Sequence, residues 1–221
     1  MKYKAVIFDL DGTLIDSMGV WKQVDKDYLQ KRGIPVPEDV FEDVEGGNSF
    51  IEICQHFKSK FNLPDSIEEI GAEWTSMVAD HYENDVKLKQ NAEIFLRKLE
   101  EAGIKMAVGT SNSLFLAESV LRSNGVLDKF EVVISGSEKI KGKPFPDIFL
   151  TAAKELGVEA NECLVIEDVL VGVQAAKNAG MDVFAIYDEH SKRDREIIKK
   201  TVDFFANDYN EIIDKLFDNS K

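Results

Sequence analysis

From about residue 87 onward, short apolar runs alternate with amphipathic stretches, and each apolar run stops at polar residues. Ala92, Phe95, Leu96 and Leu99 follow the i, i+3, i+4, i+7 spacing of a helix closed by Gly103. Residues 104–109 read as a strand, 113–124 as a helix and 131–135 as a third strand after the one at the N-terminus. Ile148, Phe149, Ala152, Ala153 and Leu156 mark a helix that ends at Gly157. Residues 163–166 give a fourth strand, 172–178 lie in a helix and 182–186 give a fifth. The first strand is Lys4-Ala5-Val6-Ile7-Phe8. Runs this apolar are buried on both faces, and strands alternating with helices predict an α/β fold, a doubly wound parallel sheet.

One stretch breaks the alternation. Residues 17 to about 85 read as wholly helical. Asp16 or Ser17 caps a helix through Lys31, with Gly33 and Pro35 as stop signals. Asn48 and Ser49 start a second helix, and Asp65 or Ser66, followed by Glu68 and Glu69, a third. The expected organisation is a catalytic core of residues 1–16 and 86–221, with 17–85 as an inserted all-helical cap domain over the sheet's carboxyl edge. Ligands of doubly wound sheets sit at that edge.

The tips of the predicted strands carry chemistry. The first strand runs into Asp9-Leu10-Asp11-Gly12-Thr13, with two carboxylates spaced i, i+2. In an extended strand such side chains point the same way, so both are expected to converge at its end, and Gly12 lets the chain turn away. The second strand ends at Thr110-Ser111-Asn112, and the third is followed by Gly142-Lys143-Pro144-Phe145-Pro146-Asp147. The fourth ends at Glu167-Asp168. Each has a bland alternative taken singly: a solvated acidic pair, a helix cap, a surface lysine, acids at a helix start. Their succession at strand after strand points instead to phosphoryl transfer. Carboxylates at the first and fourth tips suit Mg²⁺, a hard cation that prefers oxygen ligands. A threonine hydroxyl and backbone N–H groups suit phosphate oxygens, and a lysine balances the remaining charge. One carboxylate can attack phosphorus while the other serves as general acid and then general base.

The composition narrows the partners. With 27 Lys and Arg against 41 Asp and Glu, the net charge is −14, which disfavours nucleic-acid or anionic-membrane surfaces. Cys54 and Cys163 form no CxxC pair and read as packing residues of a reducing compartment. No signal-peptide pattern opens the chain, and no run approaches the ~20 apolar residues of a membrane span. The expectation is a soluble, cytoplasmic monomer acting on a small phosphorylated metabolite, with no nucleic-acid or membrane partner.

Asp9-Leu10-Asp11-Gly12-Thr13-Leu14, Thr110-Ser111, Lys143-Pro144 and Glu167-Asp168 resemble, in order, the four motifs of the haloacid dehalogenase-like hydrolases. The helical insert and the stretch Gly142 to Phe149 resemble the subgroup of β-phosphoglucomutase and small sugar-phosphate phosphatases. The resemblance implies a Rossmann-like core in which Asp9 is the nucleophile that forms an aspartyl phosphate. It makes Asp11 the acid and later the base, with its backbone carbonyl also on Mg²⁺. Thr110 and Lys143 would hold the phosphoryl group, Ser111 and Asn112 would add contacts, and Asp168 with Glu167 would complete the metal site. The dehalogenases themselves lack the second aspartate, so Asp11 favours phosphate over halide chemistry.

Departures from the mutase pattern matter. Trp21 stands where that enzyme has a histidine, residues 45–50 contain no basic residue, and Ser113 replaces a lysine that contacts the sugar phosphate. These favour a phosphatase with one anion site over a phosphohexomutase, which must hold a bisphosphate. Val169 stands where the subgroup usually has a hydroxyl residue, which affects a hydrogen bond behind the metal ligands, not the ligands. A non-catalytic phosphometabolite sensor is the rival of a different class. Trp21, Gly46 and Gly47 are the candidate substrate-facing residues of the cap, and Trp74 reads as cap core. Lys139 and Lys141 read as a solvated loop, and His56, His81 and His190 as ordinary structural residues without metal spacing.

Overall fold

Burial of the first strand on both faces is met in full. The computed structural model describes residues 2–36, 50–136 and 140–217. The expectations placed on Gly46, Gly47, Lys139 and the helix start at Asn48 and Ser49 lie outside them. The strands are β1 (Ala5–Phe8), β2 (Lys105–Thr110), β3 (Val132–Ser135), β4 (Cys163–Glu167), β5 (Asp182–Ile186) and β6 (Phe204–Ala206). They form one sheet in the order β3-β2-β1-β4-β5-β6, every neighbouring pair parallel. The helices are α1 (Met18–Lys31), α2 (Phe50–Phe61), α3 (Ile67–Asn84), α4 (Ala92–Glu101), α5 (Leu114–Ser123), α6 (Asp147–Leu156), α7 (Leu170–Asn178), α8 (Arg195–Thr201) and α9 (Tyr209–Phe217).

Alternation along each strand sorts the core into two layers. Val6, Phe8, Val108 and Ile166 pack with Phe95 of α4, Val120 of α5 and Ile212 of α9. Ala5, Ile7, Ala107 and Val165 pack on the other side with Phe149 of α6, Val173 of α7 and Ile198 of α8. The first layer continues into α1, α2 and α3 through Tyr28, Phe57, Trp74 and Val78. Trp74, read as a core residue, is buried among Tyr28, Phe50 and Phe57.

The three inserted helices leave and rejoin the sheet side by side. The Asp16 N–H donates to the Lys87 carbonyl and the Lys89 N–H to the Leu14 carbonyl, each at 2.9 Å. Helix α3 starts after Ser66, one of the two expected caps, in a capping box where Ser66 and Glu69 each accept the other's backbone N–H. Helix α1 does start after Ser17, but the Ser17 side chain makes no cap; its hydroxyl donates elsewhere, as described below. Strand β6 and helices α8 and α9 were not foreseen. Strand β6 has only three residues and so carries little pattern, whereas the helical spacing of α9 in Tyr209, Ile212, Ile213 and Leu216 was there to be read.

Candidate active site

The order of strands reverses direction between β1 and β4, the switch point where such sheets bind ligands. Phe8 lies level with Val108 on one side and Ile166 on the other, so Asp9, Thr110 and Glu167-Asp168 emerge together at the carboxyl edge. The Asp9 N–H still donates to the Ile166 carbonyl at 2.9 Å, which fixes the start of the loop. The chain then folds back: the Leu14 and Ile15 N–H groups both donate to the Leu10 carbonyl, and Gly12 takes a φ of 81°.

Strand β1 ends at Phe8, and the two acids expected to converge at its end lie close enough for Asp11 to raise the Asp9 carboxyl, while each has hydrogen-bond partners of its own. Asp9 is bound by Lys143, whose Nζ lies 2.5 Å from Asp9 Oδ1 and 2.5 Å from Glu167 Oε1. The lysine is only 2% exposed and also lies 5.2 Å from the centroid of the Phe149 ring. Glu167 Oε2 accepts the N–H groups of Asp168 at 2.8 Å and Val169 at 3.0 Å. Val169, with no hydroxyl to offer, contributes its backbone.

Asp9, Glu167 and Asp168, all buried, bring one carboxylate oxygen each within 4.8 Å of one another, a group able to hold a cation. Both oxygens of Glu167 are already occupied by donors. Asp168 differs: Oδ1 accepts from the Thr13 hydroxyl at 2.6 Å, whereas Oδ2 is buried with no hydrogen-bond partner. A buried carboxylate oxygen without a donor is costly unless a cation meets it, so the site fits a hard divalent ion. Two glycines give these acids room. A Cβ on Gly12 would lie 2.6 Å from Asp168 Oδ2, and one on Gly172 would lie 1.7 Å from Glu167 Oε1. The Asp11 carboxylate is not part of this group.

Asp11 is held instead by Ser17, by helices α1 and α3 and by the loop after β2. Its Oδ1 accepts from the Ser17 hydroxyl at 2.6 Å, from Trp21 Nε1 at 3.2 Å and from the Tyr82 hydroxyl; its Oδ2 accepts from Asn112 Nδ2 at 3.0 Å. Trp21 thus joins the site as a donor, with Phe50 and Tyr82 against its ring. Thr110 is buried, and its hydroxyl accepts the Asn112 N–H at 3.0 Å. The Ser111 carbonyl accepts the N–H of Phe50, the first residue of α2. Ser113 caps α5 by accepting the Leu116 N–H at 3.3 Å. The structure therefore brings together Asp9, Lys143, Glu167 and Asp168 as one cluster, and Asp11, Asn112 and Trp21 as a second. Sequence reasoning missed four members: Thr13, Ser17, Tyr82 and Tyr209, whose hydroxyl donates to the Thr13 carbonyl at 3.0 Å. The histidines behave as expected where they are paired: His81 meets Asp85 and His190 meets Asp188.

Electrostatics follow from sealing these charges away from water. Burial pushes the Asp9 carboxyl up to about 7, aided by Glu167 and Asp11 and opposed by Lys143. Burial also lifts Asp168 well above the usual range, with Glu167 and Asp9 adding repulsion. Burial alone would lower Lys143, but the Asp9 and Glu167 carboxylates outweigh it and hold the ammonium above its ordinary value. The cluster carries three acids against one lysine, and a divalent cation would remove the imbalance.

Fold and cluster define an α/β protein with an acid–lysine reaction centre at the switch point of a parallel sheet. Residues 6–186 match the haloacid dehalogenase-like hydrolase family, and the chain belongs to it. It is 32% identical over 190 residues to hexitol phosphatase A of Escherichia coli (strain K12), with 84% of each chain covered. It is 34% identical over 183 residues to the bifunctional riboflavin kinase/FMN phosphatase of Arabidopsis thaliana; that match covers 82% of this chain and 48% of the relative, so the chain spans about half of that protein. The crystal structure of CbbY from Rhodobacter sphaeroides in complex with phosphate shares the fold, with a TM-score of 0.85 at 22% identity over 95% of this chain and 96% of the other. Among the described residues, no helix is long and apolar enough to cross a membrane.

Proposed function

We propose that the chain is a Mg²⁺-dependent phosphatase that hydrolyses a small phosphorylated metabolite, a sugar or polyol phosphate, through an aspartyl phosphate on Asp9. The observation that carries this reading is the Asp9 carboxylate, buried at the tip of the central strand and paired with Lys143 beside an Asp168 oxygen that has no donor. Asp9, Asp168 and the Asp11 backbone carbonyl would hold the metal, with Glu167 supporting it from behind while it anchors Lys143. A bound Mg²⁺ would neutralise charge on the phosphoryl oxygens and relieve the repulsion among the acids.

The chain's own residues divide the rest of the work. Lys143 keeps Asp9 ionised for attack and balances charge on the transferring group. Thr110, with backbone N–H groups at the start of α5, receives phosphoryl oxygens. As Asp9 forms its bond to phosphorus, the bond to the leaving oxygen breaks and that oxygen takes a proton from Asp11. Asp11 then removes a proton from the water that releases phosphate. Residues 17–85 act as a cap that excludes bulk water during the first step, consistent with the donors they supply to Asp11. Lysine and arginine are absent from residues 33–57, which suits a substrate with a single phosphate.

A panel of phosphorylated metabolites with Mg²⁺, scored for both free phosphate and isomer formation, tests the reading. Phosphate release without isomerisation is expected from at least one sugar or polyol phosphate. Interconversion of isomers without phosphate release would show a mutase, and no turnover across the panel would leave a binding protein.

A further inference from the structure

Tyr82 lies near the end of α3, wholly buried and 71 residues from Asp11 along the chain. Its hydroxyl contacts Asp11 Oδ1, Trp21 Nε1 at 2.8 Å and Asn112 Nδ2 at 3.1 Å. An indole N–H can only donate. The Asn112 amide has its direction set from its other end, because its Oδ1 accepts the Ser113 N–H at 2.7 Å. Its backbone is also fixed: the N–H donates to Thr110 Oγ1, and the carbonyl accepts the Ser135 hydroxyl at 2.6 Å. Two donors therefore occupy the lone pairs of the Tyr82 oxygen, and its one hydrogen is left for the Asp11 carboxylate. The second hydrogen of the Asn112 amide reaches Asp11 Oδ2 at 3.0 Å, and the single Trp21 N–H is shared between Tyr82 and, at a longer 3.2 Å, Asp11 Oδ1. Oδ1 thus takes the Ser17 and Tyr82 hydroxyls and a share of the Trp21 N–H, whereas Oδ2 takes the amide alone, so a proton has its open place on Oδ2.

We propose that Tyr82, its hydroxyl directed by Trp21 and Asn112, is a positioning residue that pins Asp11 Oδ1 and leaves Oδ2 to pass a proton to the leaving-group oxygen. The assignment rests on the phosphatase reading above. In the step concerned, Asp9 bonds to phosphorus, the P–O bond to the leaving group breaks with its electrons on oxygen, and the Oδ2 proton moves to that oxygen. The inserted helices then supply part of the reaction's geometry: Trp21 comes from α1 and Tyr82 from α3, and neither lies in the four motifs.

Leaving-group chemistry separates positioning from simple structural support. An alkoxide needs its proton as it leaves; a p-nitrophenolate hardly does. The kcat/KM values for a hexitol phosphate and for p-nitrophenyl phosphate, measured at saturating Mg²⁺, are compared in Tyr82→Phe, Trp21→Phe and Asp11→Asn. Tyr82→Phe is expected to lower the alkyl value about 10- to 100-fold more than the aryl value, a part of the range general acids supply. Trp21→Phe should shift the ratio the same way by less, and it decides the matter if circular dichroism shows Tyr82→Phe unfolded. Equal losses on both esters in the folded variants, with Asp11→Asn still selective, would overturn the role of Tyr82 and leave the phosphatase reading intact. No selectivity in Asp11→Asn itself would remove the acid role on which both depend.

Discussion

Lys143 Nζ lies 2.5 Å from Asp9 Oδ1, and the two side chains are 1% and 9% exposed. A charge pair this far from water is held together by geometry, and removing one partner strands the other. Lys143→Met leaves Asp9 and Glu167 buried with no cation between them. The expected cost is about 3–5 kcal/mol of stability, together with loss of turnover. Urea unfolding of the metal-free variant checks it; an unchanged midpoint would show that the carboxylates are not relying on the lysine.

Gly172 faces the back of the same pair. A Cβ there would lie 1.7 Å from Glu167 Oε1, so Gly172→Ala must push Glu167 away from Lys143 and from the Asp168 and Val169 N–H groups. We expect a loss of about 2–4 kcal/mol from overpacking and broken hydrogen bonds. Gly19, exposed in α1 with nothing within 4 Å of its would-be Cβ, is the control. Gly19→Ala should gain roughly 0.5–1 kcal/mol from helix propensity. Similar effects at the two positions would contradict the packing described.

Metal affinity should depend on pH in a definite direction. Burial lifts Asp9 to about 7, so in the metal-free protein it carries a proton below that pH and loses it above. A cation binds the ionised form and must displace that proton at lower pH. Calorimetric titration with Mg²⁺ is expected to show binding at least about tenfold tighter at pH 8 than at pH 6, the factor that Asp9 titrating near 7 requires by itself, and proton release at pH 6. Equal affinity at both pH values would mean that Asp9 is not a ligand.

Asp188 gives an opposite pH signature, in stability. Burial alone would raise it, but hydrogen bonds from His190 and Lys89, the latter at 2.7 Å, hold it below its ordinary 3.8. A depressed folded value means the stabilisation is complete above the unfolded value near 3.8 and fades as pH falls toward the folded one. Asp188→Asn should therefore cost about 1–3 kcal/mol at pH 7. Chemical denaturation across pH should show that gap closing below pH 4, roughly the unfolded carboxylate's range. A gap that is constant with pH would place the effect in packing.

How much of this was legible in the sequence depends on which physics set each feature. Strand positions came out within a residue or so because apolar runs such as Ala5–Phe8 are dictated by burial on two faces. Lys143 and Asp168 were legible because polar residues follow strand after strand in the order of four known motifs, not because their burial could be read from the sequence. Asp11 was legible as a second acid near Asp9, but its own set of donors was not, because they come from other segments of the chain. Ser17 looked like a helix cap because local spacing cannot show a competing acceptor; its hydroxyl goes to Asp11. Tyr82 and Tyr209 were invisible as site residues for a different reason. Their partners are 71 and 196 residues away, and only the packed chain brings them together.

Whether Asp9 accepts the phosphoryl group is read by peptide mapping of the acid-quenched enzyme after mixing with substrate and Mg²⁺. One phosphoryl group is expected on the peptide containing Asp9, absent in Asp9→Asn, with phosphate release by that variant lost almost entirely while substrate binding is kept. Near-normal phosphate release by pure Asp9→Asn, or a phosphorylated peptide elsewhere in the chain, would contradict it.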